Sequence, residues 1–275
     1  MSISLTCFQG NLGDSNPLGI EGAAYLAQEL AQRTGLSCHT FGQPDSIIQA
    51  NWQTHLERTT PELLAYQSYL DGTLAGESGM LLAVHNRCAV SLATLPVMAK
   101  YHPDVCVIWI DAHADLNTPQ SSASGYLGGM ALSGPCGLWN SGLGAGVNLQ
   151  SVVLVGQRDI DVAEQSLINE QHIVCLPPGP TLLPNLRDVI QGRKLWVHLD
   201  CDVLQPGIVP TEYLCPDGLT LDDLRAISTV LATEQVIGLE IAECQTQATG
   251  RPAETGPLID ALWPIIYTDS GDKQR

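Results

Sequence analysis

Short apolar runs separated by helix-like stretches set the hydrophobic pattern of this chain. The runs are rich in β-branched residues and predict seven buried strands, at residues 3–7, 80–84, 105–110, 152–155, 173–176, 195–199 and 236–241, with an eighth near 37–41. Helical spacing is found between them, at residues 19–33, 61–74, 89–101, 162–170 and 221–233. This alternation predicts an α/β fold in which helices cover both faces of a parallel sheet.

Acidic side chains follow four of the predicted strands, at the point where each strand ends. They are Asp111 and Asp115 with His113 between them, Asp159 and Asp161, Asp200 and Asp202 in "LWVHLDCDV", and Glu240 and Glu243 in "VIGLEIAEC". The carboxyl ends of parallel strands meet at one edge of a sheet, and α/β proteins bind their ligands beyond that edge. We therefore expect these carboxylates to converge on one site.

Carboxylates that converge in a buried place repel one another and lose their hydration, so they need a compensating charge. A divalent cation supplies it, and a set of oxygen ligands with one imidazole suits Mn²⁺ better than a structural zinc. Two D-x-D-type segments indicate two ions about 3.5 Å apart that polarise a shared hydroxide. If Asp111 or Asp202 only capped a helix, and His113 were an ordinary polar residue, the pairing of the two segments would be unexplained.

The amino-acid composition bears on the number of domains, the kind of binding partner and the state of the cysteines. The 275 residues are 44% hydrophobic, which suits a single domain over residues 1–275. The formal net charge of −17 argues against nucleic acid or an anionic membrane as partner. A secretion signal and an apolar run of about 18 residues are both missing, so we expect a cytoplasmic protein. The nine cysteines form no CxxC pair, which favours reduced thiols over disulfides or a zinc ribbon.

The acidic motifs resemble those of the arginase and agmatinase group, the ureohydrolases. "DAHADLNTP" and "LDCDVLQP" are similar to the family's two metal-binding motifs, and the resemblance extends over about residues 80–245. It implies a three-layer αβα sandwich around a parallel sheet of about eight strands, with two divalent ions, expected to be Mn²⁺. By this resemblance the ligands are Asp111 and Asp200, bridging the ions, Asp115 at one ion, and His113 and Asp202 at the other.

Two positions depart from the arginase pattern. The family has a further ligand, a histidine, after the preceding strand; an ungapped alignment puts Cys88 there, and His85 is the alternative. We expect Cys88 at this position, although a thiolate is a poor ligand for Mn²⁺. Arginases also carry a histidine in the segment that here reads "SGYLGGM", where this chain has Gly128. Loss of a general acid or base typically lowers the catalytic rate by about 10²–10⁴-fold. We therefore expect that this chain is not an ordinary arginase.

The residues that arginases use to hold an amino acid are retained. The resemblance assigns the substrate's α-carboxylate to Asn117 and Ser124, and its α-amino group to the neighbourhood of Asp161 and Glu164. It assigns the guanidinium to Glu243. An agmatinase has no α-carboxylate to bind, so the expected substrate is a guanidino α-amino acid.

The two departures occur together in a branch of the family that hydrolyses Nω-hydroxy-L-arginine to L-ornithine and hydroxyurea in D-cycloserine biosynthesis. "GYLGGM" and "SGPCGLWNSG" extend the likeness to that branch. The N-hydroxyl group withdraws electrons, so the guanidino carbon is easier to attack and a weaker metal site suffices. The resemblance then implies that Asp115 returns a proton to the departing ornithine amine, while Glu243 positions the hydroxyguanidine.

Three alternatives stay open at this point. The chain could be an arginase-type hydrolase of L-arginine or another guanidino compound, or a ureohydrolase-like protein that binds without catalysis. A hydrolase with Cys88 as nucleophile and His113 as base is the third, but it leaves Asp200 and Asp202 without a role. We expect a monomer or a small homo-oligomer that binds a small molecule, with neither nucleic acid nor membrane as partner.

Overall fold

The computed structural model describes residues 2–75 and 79–267, and eight of its strands form one sheet. The strands are β1 Ser2–Phe8, β2 Cys38–Phe41, β3 Gly79–His85, β4 Cys106–Ile110, β5 Val152–Val155, β6 Val174–Leu176, β7 Lys194–Asp200 and β8 Gln235–Ala242. Every neighbouring pair is parallel, and the order is β2-β1-β3-β8-β7-β4-β5-β6. The predicted parallel eight-stranded sheet is confirmed.

Helices cover both faces of this sheet. They are α1 Leu18–Thr34, α2 Trp52–Leu74, α3 Ser91–Tyr101, α4 Val162–Glu170, α5 Leu182–Ile190, α6 Leu221–Leu231 and α7 Gly256–Ile266. One hydrophobic core joins the sheet to α1, α5, α6 and α7, and a second joins its other face to α2, α3 and α4. The three-layer αβα sandwich is therefore confirmed. None of the described helices has the length and apolar character that a membrane crossing requires.

Strand β4 shows how the sequence produces this arrangement. Its side chains alternate between the two cores: Val107 and Trp109 pack on one face, and Ile108 and Ile110 on the other. All four are fully buried, as a strand covered on both faces requires. The polar residues that follow Ile110 therefore lie at the end of a dry strand.

The helix boundaries differ from the predictions in three places. Helix α2 begins at Trp52, nine residues before the predicted start, with the Asn51 side chain accepting a hydrogen bond from the Thr54 amide at 3.0 Å. Pro61, which suggested a first turn, lies inside the helix. The prediction also omitted α5 and α7, of which α7 carries Pro264 within it.

The sheet order decides which strand ends become neighbours. Strands β3, β8, β7 and β4 are consecutive in the sheet, although they lie far apart in the chain. Their carboxyl ends carry the segments that follow His85, Ala242, Asp200 and Ile110. The expected convergence of these segments follows directly from this order.

Candidate metal centre

The ends of these strands surround a cavity of about 190 Å³. Ten of the eleven residues that the sequence placed in the site line it: Cys88, His113, Asp115, Asn117, Ser124, Asp161, Glu164, Asp200, Asp202 and Glu243. The eleventh, Asp111, lies fully buried directly behind the cavity wall. The structure thus brings the whole predicted set together.

Asp111, His113 and Asp202 form the tightest group of potential ligand atoms. The Nδ1 atom of His113 lies 3.1 Å from an Asp202 oxygen and 3.4 Å from an Asp111 oxygen. The three donor atoms lie within 4.8 Å of one another, a spacing that a single cation can bridge. Backbone and ring N–H groups orient Asp111, which accepts hydrogen bonds from the His113 amide at 2.7 Å and the Trp109 indole at 3.0 Å.

Asp200 and Cys88 form a second group beside the first, together with Glu243. One Asp200 oxygen accepts from the Asp202 amide at 2.7 Å, and the other lies 3.0 Å from the Cys88 sulfur. The sulfur also lies 3.2 Å from Nε2 of His198. These distances place a thiol, an imidazole and a carboxylate around one point.

The electrostatics of the cavity favour cations. Burial, and then the Asp111 carboxylate, raise the pKa of Asp115 well above its usual value; burial and Asp202 do the same to the pKa of Asp200. Although burial opposes it, hydrogen bonds to Asp111 and Asp202 raise the pKa of His113. Among the described residues, neither Asp115 nor Asp200 forms an ion pair with a lysine or arginine. The donor set therefore fits divalent cations, which would supply the positive charge that no lysine or arginine provides to these carboxylates.

Two of the acidic residues sit on unusual backbone. Asp115 has a φ of 52° and Glu243 a φ of 61°, the left-handed region that side-chain-bearing residues seldom adopt. The Asp115 carbonyl accepts hydrogen bonds from the Leu132 and Ser133 amides, both at 3.1 Å, which hold this turn. Strained backbone of this kind is typical of functional sites, where it directs a side chain to a fixed point.

The structure separates the two candidates for the ligand after β3. Cys88 lines the cavity, whereas His85 is buried beside Tyr66, with its Nε2 atom 3.4 Å from the tyrosine hydroxyl. Burial, and then Asp200, raise the pKa of the Cys88 thiol well above its usual value. The imidazole beside Cys88 is His198, while His113 faces the carboxylates. The pairing of Cys88 with His113 as its base is therefore wrong in geometry.

The sequence did not single out His198, which supports Cys88 from behind the cavity. Its ring stacks on Trp109, with centroids 3.6 Å apart and planes 4° from parallel. Its Nδ1 atom lies 2.9 Å from Glu240, which also accepts a hydrogen bond from Ser91 at 2.8 Å. His198 precedes Asp200 by two residues in β7, so strand alternation alone puts both side chains on one side.

The sequence also did not single out Arg87, which is fully buried beside the cavity. Its Nε donates to Asp14 at 2.7 Å, and its Nη1 donates to Glu243 at 2.8 Å and lies 2.5 Å from Glu212. The second Glu243 oxygen accepts from the Cys88 amide at 2.9 Å. Burial raises the pKa of Glu243 to about 7, against the lowering effect of Arg87. Both oxygens of Glu243 are therefore fixed in place.

The residues predicted to hold the amino acid lie on the opposite wall. Asn117 donates to Asp161 at 2.8 Å, and Asp161 caps the amino terminus of α4. Glu164 is committed to backbone: its oxygens accept from the Asp161 and Leu116 amides at 2.9 and 2.8 Å. Ser124 is exposed at the rim. Asp161 and Ser124 are thus open to a ligand, whereas Asn117 is buried and its amide oxygen also accepts a hydrogen bond from Ser121 at 2.9 Å. Glu164 mainly fixes the position of Asp161.

Comparison with known proteins gives consistent findings. The profile of the Arginase family matches residues 88–256. The chain is 41% identical over 266 residues to the N(omega)-hydroxy-L-arginine amidinohydrolase of Streptomyces lavendulae, a match that covers 96% of this chain and 97% of that protein.

Solved structures of the same shape include two arginases. The Entamoeba histolytica enzyme in complex with L-ornithine has a TM-score of 0.82 at 20% identity, covering 95% of this chain and 97% of that one. The Bacillus caldovelox enzyme has a TM-score of 0.81 at 21% identity, covering 100% and 99%. At these identities the likeness concerns the fold.

Proposed function

Because the chain belongs to the arginase family, we propose that it is a dinuclear-metal amidinohydrolase that converts Nω-hydroxy-L-arginine into L-ornithine and hydroxyurea. The observation that carries the substrate assignment is the 41% identity, over nearly the whole of both chains, to the Streptomyces lavendulae enzyme of that name. The cavity supports it, since it joins a cluster of carboxylates to polar groups suited to an α-amino acid.

The proposed cofactor is a pair of Mn²⁺ ions held by Asp111, His113, Asp115, Asp200 and Asp202, with Cys88 beside one of them. Most of these donors are carboxylate oxygens, which hard cations prefer. When bound, the ions would activate a water molecule for attack on the guanidino carbon.

The remaining residues would bind and orient the substrate. Asn117 and Ser124 take the α-carboxylate, and Asp161 takes the α-amino group while Glu164 holds it in place. Glu243, fixed on both oxygens, presents its carboxylate to the hydroxyguanidine. Asp115 would accept the proton that the attacking water gives up and pass it to the departing ornithine amine.

A competition assay tests this function. The Mn²⁺-loaded protein receives equal concentrations of L-arginine and Nω-hydroxy-L-arginine, and the products are separated by mass spectrometry. We expect hydroxyurea in large excess over urea. An excess of urea would instead identify an arginase, and the absence of both products would indicate a binding protein or a different guanidino substrate.

Cys88→His tests the place of Cys88 at the metal. Imidazole is a better ligand for Mn²⁺ than a buried thiol, so we expect tighter metal binding and a shift of activity toward L-arginine. Mn²⁺ affinity is measured by calorimetric titration, with Cys175→Ser in β6 as a control cysteine outside the cavity. Unchanged affinity would exclude Cys88 from the coordination of the ion.

The proposal also covers the pathway, the cellular location and the oligomeric state of the enzyme. The motifs that resemble the hydroxyarginine branch point to D-cycloserine biosynthesis, and we propose that the protein acts there in the cytoplasm. A monomer or small homo-oligomer is proposed as its working state.

A further inference from the structure

The Tyr126 hydroxyl is buried at the cavity without a hydrogen-bond partner among the described residues. A buried hydroxyl that stays unpaired costs free energy, so native structures nearly always satisfy it. Tyr126 belongs to none of the residue sets predicted from the sequence. Because the Tyr126 side chain lines the substrate cavity, its unpaired hydroxyl indicates a hydrogen bond that forms only with a ligand.

The ring of Tyr126 explains why residue 128 is glycine. A Cβ atom at Gly128 would lie 2.3 Å from Cε1 of Tyr126, closer than two carbon atoms can approach. Gly128 has ordinary backbone, so space rather than conformation requires the glycine. The tyrosine therefore occupies the place that any larger side chain at position 128 would take, including a histidine.

The Tyr126 side chain shares the cavity lining with Glu243, which is expected to hold the substrate's guanidino group. The Tyr126 ring lies 5.7 Å from that of Tyr213, and it also borders a smaller pocket that contains Asp14, a partner of Arg87. Burial, and then the Glu243 carboxylate, raise the pKa of Tyr126 well above its usual value, against Arg87. The hydroxyl thus keeps its proton, in the neighbourhood of the carboxylate that is expected to hold the guanidine.

We propose that Tyr126 determines substrate specificity by donating a hydrogen bond to the N-hydroxyl oxygen of the substrate. This inference rests on the proposed function. The guanidinium of L-arginine offers only N–H donors, so the tyrosine proton would find no acceptor on that substrate. A hydroxyguanidine adds the missing oxygen. A site built to bond a substrate hydroxyl discriminates strongly against an analogue that lacks one.

Tyr126→Phe tests the inference because it removes a single oxygen and keeps the ring against Gly128. We expect kcat/KM for Nω-hydroxy-L-arginine to fall about 10- to 100-fold, as for the loss of one buried hydrogen bond, while kcat/KM for L-arginine changes less than about threefold. Product inhibition gives a second readout: hydroxyurea should inhibit about tenfold more weakly, and urea as before.

Two further variants separate this role from a general loss of structure. Tyr66→Phe is the matched control, since Tyr66 is buried and its hydroxyl already bonds Thr6 at 2.7 Å, outside the cavity. It should leave the ratio between the two substrates unchanged. Gly128→Ala keeps the Tyr126 hydroxyl but displaces the ring, so it should lower the same ratio as Tyr126→Phe does.

The outcomes distinguish this inference from the proposed function. If the native enzyme prefers Nω-hydroxy-L-arginine and Tyr126→Phe keeps that preference, the role of Tyr126 is wrong and the function stands. An equal loss with both substrates would likewise contradict a role in specificity. If the native enzyme shows no preference for the hydroxylated substrate, the function and this inference fail together.

Discussion

Replacing Asp115 by Asn is expected to abolish turnover while the protein still binds metal. Asp115 lines the cavity, and its carboxylate has no hydrogen-bonded partner among the described residues. A carboxylate in this place can accept a proton and pass it to the leaving amine, which the amide of Asn cannot do. Removal of a general acid typically lowers kcat by about 10²–10⁴-fold.

The choice of Asn limits other causes for such a loss. Asn has nearly the shape of Asp and accepts the left-handed backbone that residue 115 adopts. Asp217→Asn makes the same exchange at another left-handed position, with a φ of 59°, outside the cavity, and should leave kcat unchanged. Initial rates and Mn²⁺ titrations of both variants complete the test. Full activity of Asp115→Asn would refute the assigned role.

Replacing Arg87 by Met is expected to destabilise the fold more than any other single change considered. The fully buried guanidinium contacts three carboxylates, those of Asp14, Glu212 and Glu243. Methionine fills a similar volume without charge and leaves the buried carboxylates of Asp14 and Glu243 without their cation. Breaking a buried ion pair in this way costs about 3–5 kcal/mol.

A partly exposed arginine that pairs with two carboxylates supplies the control. Arg33 pairs with Glu29 at 2.9 Å and Asp260 at 2.7 Å, but its side chain is one third exposed. Exposed pairs contribute about 0–1 kcal/mol, so Arg33→Met should have little effect. Urea unfolding of both variants, followed by circular dichroism, gives the two free energies of unfolding. Equal losses would show that Arg87 has no special structural role.

Much of the fold and of the metal site could be predicted because both depend on local patterns. Apolar runs gave the strands, and the strand ends gave Asp111, Asp115, Asp200 and Asp202. Parallel pairing places all strand ends at one edge, so the sequence could predict that these residues share that edge, whereas the strand order decides which of them become neighbours. The roles within the cluster came only from the resemblance to the ureohydrolases.

The residues that the sequence did not reveal depend on contacts between distant segments. Arg87 forms its ion pair with Glu243, which is 156 residues away in the sequence. No local sequence pattern around either residue indicates this contact. The Tyr126 ring lies 5.7 Å from the ring of Tyr213, which comes much later in the chain. Such contacts are set by the strand order, which hydrophobic periodicity does not encode.

The strand order also bears on how the protein folds. Strand β8 comes last in sequence among the described strands but lies between β3 and β7. The sheet is therefore divided into β2-β1-β3 and β7-β4-β5-β6 until β8 pairs with both parts. The part that contains β7 and β4 is enough to bring Asp111 near Asp202. Cys88 follows β3 and Glu243 follows β8, so these two residues reach the site only when β3 and β8 are in place. Because such long-range parallel pairing is slow, the centre is expected to assemble in two kinetic stages, with the carboxylates gathered before Cys88 and Glu243 reach them.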